Sequence, residues 1–86
     1  RPSGFKLVSV SEAVRDEGLK LDTKRFFRGD VTRHPLLAGL SPADLYLKQW
    51  REQPVVCEAN GWRVIAKPGI VAVKEEHGER LVVCML

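Results

Sequence analysis

Apolar and polar positions alternate at the start of the chain. In Phe5-Lys6-Leu7-Val8-Ser9-Val10, Phe5 and Leu7 point one way and Lys6, Val8 and Val10 the other, the period of two expected of a short strand. Ser9 stands three residues before Glu12, the spacing of a capping box, and Ala13, Val14 and Arg15 carry a helix forward. Gly18 supplies a left-handed stop, with Leu19 placed to fold back as the hydrophobic contact of that cap. The pattern predicts a helix over residues 10–17.

Residues 19–40 keep no period. Gly29, Gly39, Asp22, Asp30 and Pro35 break the stretch, which is expected to be an irregular segment packed on the body or on a partner. In Ser41-Pro42-Ala43-Asp44, Ser41 suits an N-cap, Pro42 the first helical position and Asp44 the positive end of the helix dipole. A second short helix is predicted from there to Trp50. Tyr46 and Trp50, four apart, would share its face, and Pro54 would bar its continuation.

From Pro54 the pattern changes to strands and tight turns. Val55-Val56-Cys57-Glu58-Ala59 precedes Asn60-Gly61, the strongest short hairpin signal. Trp62 to Lys67 follows, then Pro68-Gly69 in the arrangement of a type II turn, then a strand from Ile70 to Glu75. Glu76-His77-Gly78-Glu79 makes the last turn. Residues 81–86, apolar on both faces, read as the buried central strand. The expected fold is α+β: a four-strand antiparallel meander over residues 54–86, two short helices, and a possible strand near the N-terminus joining the sheet.

At 86 residues and 9.7 kDa the chain is one small domain or a fragment of a larger one, with little surface to bury. It opens on Arg1, so it reads as a processed piece. The balance of 44% hydrophobic and 29% charged residues is that of a globular protein, and the net charge is +3. No apolar run reaches the ~18–20 residues of a membrane helix, so no membrane partner is expected.

Candidate chemistry is sparse. Cys57, Cys84, His34 and His77 form no close ligand pair, so neither a metal nor any cofactor is expected. The two cysteines read as small buried hydrophobes, and a disulfide between neighbouring strands stays open. Ser9, Ser11 and Ser41 belong to helix starts, and no nucleophile elbow is present. Glu75, Glu76 and Glu79 surround His77 in a turn, where solvated charge is the simpler reading than paired acid–base catalysis. No catalytic residue is therefore assigned.

Two groups of side chains could bind a ligand. Lys24, Arg25, Phe26, Phe27 and Arg28 form the one dense basic-aromatic patch, able to stack bases and hold a backbone. Residues 15–35, however, carry six basic and four acidic groups, a surplus of only two, which disfavours nucleic acid. The second group is Tyr46, Trp50 and Trp62, the ring types on which sugar C–H faces stack. Trp50 and Trp62 both sit where an element meets a turn, so both are expected to be reachable.

Two further stretches act together. His34-Pro35-Leu36-Leu37-Ala38-Gly39-Leu40 runs into the capped segment ending in Trp50, and Glu79-Arg80-Leu81-Val82-Val83-Cys84-Met85-Leu86 follows Gly78. Over residues 31–86 the chain resembles the closing part of the glutamine-amidotransferase-like accessory domain of large bacterial glycoside hydrolases, the beta-galactosidase-like enzymes among them. Glu79 stands where that family often has a small or basic residue, and the amidotransferase nucleophile elbow is missing. The resemblance implies a non-catalytic accessory or packing domain of a carbohydrate-active protein, whose partner is the rest of the parent polypeptide or another protein chain, with weak sugar contact. The alternative is a stand-alone module binding nucleic acid or protein through the patch from Lys24 to Arg28. Unpaired cysteines suit the cytoplasm and the resemblance suits export, so the compartment stays open.

Overall fold

A computed structural model describes residues 4–31, 34–39 and 45–85. Strands take up 57% of them and helical turns 15%, so the fold is mostly β and not α+β. The chain runs β1 (Lys6–Leu7), α1 (Val10–Asp16), β2 (Lys20–Arg28), β3 (Asp30–Val31), a 3-10 turn (Pro35–Leu37), β4 (Tyr46–Cys57), β5 (Trp62–Lys67), β6 (Val71–Glu76) and β7 (Glu79–Cys84). One sheet has the order β1-β7-β6-β5-β3, and β2 and β4 form a separate antiparallel ribbon.

The first helix follows its sequence signals. Ser9 is extended at φ −72°, ψ 156°, and its Oγ accepts the N–H of Glu12 at 3.1 Å, satisfying one of the unpaired first-turn donors. Gly18 closes the helix at φ +71°, and Leu19 turns back to bond the Ala13 carbonyl at 3.0 Å and bury its side chain. Ahead of the helix, β1 runs parallel to β7, pairing Lys6 with Leu81 and Leu7 with Val82.

The second predicted helix is absent from residues 46–50, which begin the longest strand; residues 41–44, with the Ser41 cap, lie outside the described residues. Leu45 is buried and Leu47 half-buried against the core, while Tyr46 and Lys48 face out. That alternation of Leu45 and Leu47 outweighs the helical spacing of Tyr46 and Trp50. Pro54 lies inside β4, opposite Thr23, and a two-stranded ribbon tolerates it because each strand has a free edge. The segment from 19 to 40 is also more regular than its composition suggests. Lys20–Arg28 is a nine-residue strand, because β4 supplies it with a partner.

The meander has three strands instead of four: β5, β6 and β7. The Asn60-Gly61 turn has the expected left-handed geometry, φ 57° and 89°, with the Trp62 N–H on the Ala59 carbonyl at 3.1 Å. It nevertheless joins strands of different sheets. The Val64 N–H, which a hairpin would give to a β4 carbonyl, is taken by Glu58 Oε2 at 2.9 Å, and β4 is turned toward β2. At the next connection the carbonyl of Ala66 accepts the N–H groups of Gly69 (3.2 Å) and Ile70 (2.7 Å). The turn thus begins one residue earlier than the predicted type II turn, and the Lys67–Pro68 peptide is cis. Glu76 and Glu79 pair across the His77-Gly78 turn.

The core lies on both faces of the large sheet. Phe26, Leu37, Leu45, Val55, Ile65, Ile70, Val71 and Val73 fill the side covered by the ribbon and the 3-10 turn. Val8, Ala13, Leu19, Val56, Trp62, Ala72, Leu81 and Val83 fill the side of α1. The strand buried on both faces is therefore β6, with Val71 and Val73 in one cluster and Ala72 in the other. The predicted central strand, β7, leaves Val82 half-buried and Cys84 exposed. Cys57 and Cys84 sit in different sheets as thiols. Among the described residues no helix is long and apolar enough to cross a membrane.

Candidate nucleic-acid interface

The ribbon carries an irregularity that no local signal announces. Phe26 pairs with Arg51 and Arg28 with Tyr46, so one residue of β2, Phe27, faces four of β4: Leu47, Lys48, Gln49 and Trp50. A bulge of this kind bends its strand and re-aims side chains. Three rings meet at it. Phe27 stacks on Trp50 with centroids 4.9 Å apart and planes 16° apart, and meets Tyr46 edge-on at 5.2 Å. Trp50 and Tyr46 stay exposed, at 57% and 53%, the two most accessible aromatic rings among the described residues. Beside them opens a shallow groove of about 350 Å³, lined by Tyr46, Leu47, Lys48, Gln49 and Arg51, with two cations and no carboxylate.

Over its whole length the ribbon is basic. Lys20, Lys24, Arg25 and Arg28 on β2 and Lys48 and Arg51 on β4 are all exposed, against only Asp22 and Glu52. That surplus of four exceeds the net charge of the whole chain, +3. Glu52 lies directly opposite Arg25 and offsets one of these charges locally. Lys24 and Arg51 lie on the inner side of the ribbon with Phe26, yet remain in water.

The sequence candidates divide. Tyr46, Trp50, Phe27, Lys24, Arg25 and Arg28 come together on the ribbon. Phe26 does not join them; it is buried in the core. Trp62 is removed from any ligand surface, being 3% exposed with its Nε1–H donating to the Glu17 carbonyl at 2.9 Å. An indole that follows a turn was expected to be reachable, but α1 packs over this one. Lys48 falls inside the predicted helix and Arg51 just past its end, so the sequence pattern does not group them with the patch on β2. The signal was there in Tyr-Leu-Lys-Gln-Trp-Arg, where aromatics and cations interleave.

His34 and Lys74 have structural partners. His34 caps the 3-10 turn, its Nδ1 accepting the Leu36 N–H at 3.1 Å, and its ring meets Phe5 edge-on. His77 lines a groove of about 250 Å³ with Glu17, Glu76 and Glu79. There the Lys74 ammonium donates to the Glu17 carbonyl at 2.9 Å and lies 3.6 Å from the carboxylates of Glu17 and Glu76. Among the described residues no three His, Cys, Asp or Glu side chains are grouped to hold a metal ion. Comparison of the chain with known proteins finds no matching family model, no similar curated protein and no similar solved structure.

Proposed function

We propose that this chain is a non-catalytic binding module that takes nucleic acid on the β2–β4 ribbon. The observation that carries the reading is the bulge of β4, which sets exposed Trp50 and Tyr46 beside a groove holding Lys48 and Arg51. Flat rings suit bases and the surrounding cations suit phosphates, and the ribbon offers both. The low charge of residues 15–35 does not include β4, which brings Lys48 and Arg51, against Glu52, to the same ribbon.

Membership of a carbohydrate-active protein, as an accessory or packing module, is a second reading. It is favoured by the same exposed Trp50 and Tyr46, and it has no use for six cations. A titration of labelled oligonucleotides and of galactose-, xylose- and glucose-based oligosaccharides, followed by anisotropy and tryptophan emission, separates the two. Nucleic-acid binding is expected to weaken as salt rises, with a log–log slope of about −0.7 for each phosphate neutralised on a single strand. A salt-insensitive response to a sugar alone would reverse the ranking.

A further inference from the structure

We infer that the ribbon binds a single strand and not a duplex, with one unpaired base stacked on the outer face of Trp50 and the adjoining phosphate in the groove of Lys48 and Arg51. This rests on the nucleic-acid reading and adds to it the form of the ligand and the place of each of its parts.

The ring geometry decides the form. Phe27 covers one face of the Trp50 indole at near-parallel planes, and the indole is still 57% exposed. One flat face is therefore braced and the other open. A base inside a duplex has both faces covered by its neighbours and cannot meet that surface, whereas an unpaired base can. Bracing also matters for affinity. An exposed indole on a free side chain must be ordered on binding, while this one is already held by Phe27, which Tyr46 meets edge-on. Phe27 is thus a positioning residue, and Trp50 and Tyr46 are the contact residues.

The bulge decides the path. Lys48 and Arg51 lie two residues before and one residue after Trp50, and both line the groove with Gln49 and Tyr46. An anion seated there lies against the β4 segment that carries Trp50. Arg28 pairs with Tyr46, so a strand leaving Trp50 in that direction meets a further cation. Glu52, opposite Arg25, is the one carboxylate of β4 and opposes the strand at the other end.

The test compares a labelled twelve-nucleotide single strand, the same sequence as a duplex, and inorganic polyphosphate. Trp62 is buried, so a change in the exposed, red-shifted emission reports Trp50. The single strand is expected to quench that emission and to bind at least about 5-fold more tightly than the duplex, the lower end of what stacking one base on an aromatic ring is worth. Trp50→Ala should lose about 10-fold in affinity, and Phe27→Leu should weaken binding while leaving the salt slope unchanged. Lys48→Gln and Arg51→Gln should each make the salt slope shallower by about 0.7, the loss of one phosphate contact on a single strand. Glu52→Gln should strengthen binding. Circular dichroism and Trp62 emission check that each variant keeps its fold. Equal binding of duplex and polyphosphate, without quenching and unaffected by Trp50→Ala, would overturn the single-strand inference and leave the basic-ribbon reading in place. No binding of any polyanion at low salt would overturn both.

Discussion

Gly69 is a position where the seam between the two sheets has no room for a single methyl group. The turn after β5 passes under β4, and the Gly69 carbonyl accepts the Val56 N–H at 2.9 Å. A Cβ at Gly69 would stand 2.6 Å from the Val56 carbonyl oxygen, 2.7 Å from its nitrogen and 2.9 Å from the Val55 Cβ. Two of these are backbone atoms of a paired strand, which cannot swing away as the end of a side chain would. The residue also has φ +142°, where an L side chain is strained. Adopting a conformation open mainly to glycine costs about 1–3 kcal/mol. Overpacking adds typically ~1–3 kcal/mol. Gly69→Ala should therefore destabilise by about 2–6 kcal/mol, out of the roughly 4–13 kcal/mol expected of a domain of this length.

The companion variant is Gly78→Ala, where φ is +79° and no atom lies within 4 Å of the added carbon. It carries backbone strain without overlap. Urea unfolding of both variants, with Trp62 emission as the probe, isolates the seam between ribbon and sheet. Gly69→Ala should lose more than Gly78→Ala by at least ~1 kcal/mol, the lower end of the overpacking range. Equal losses would refute the reasoning that the turn is clamped beneath β4.

Three further outcomes follow from particular contacts. Ser9→Ala should cost about 0.5–2 kcal/mol and Ser9→Asp almost nothing, because the Glu12 N–H needs only an acceptor; thermal unfolding compares them. Trp62→Phe removes the bond to the Glu17 carbonyl and should cost on the order of 1 kcal/mol, while Trp62→Ala empties a core position at about 3–5 kcal/mol, both read by urea midpoints. Asn60→Ala deletes the bond from Nδ2 to the Gly18 carbonyl, 2.8 Å long, and places a residue that tolerates φ 57° less well, so its hydrogen exchange should speed up at Gly18, Leu19 and Trp62 before elsewhere.

Local chemistry was legible in the sequence wherever neighbouring residues satisfy one another. The cap of Ser9, the stop at Gly18, the left-handed pair Asn60-Gly61 and the turn at His77-Gly78 each depend on atoms a few residues apart, so their residue types alone point to them. Apolar runs set between turn residues likewise point to β5, β6 and β7. Basic and aromatic side chains on β2 were visible as a patch.

Pairing was decided only by the tertiary structure. Asn60-Gly61 dictates a turn but not which sheet each flanking strand joins; that depended on β2, some thirty residues upstream, being available to β4. The same pairing turned a helix signal into a strand. The burial of Leu45 and Leu47 against the core outweighs the helical spacing of Tyr46 and Trp50, because side-chain burial is worth more than a single propensity step. The ligand surface followed from that outcome. Phe27 meets Tyr46 and Trp50 only because β4 bulges opposite it, and Lys48 and Arg51 add to the charge of β2 only because the two strands are neighbours. Linear counting assigns charge to stretches of chain, whereas a ligand meets the sum over whatever the fold places side by side.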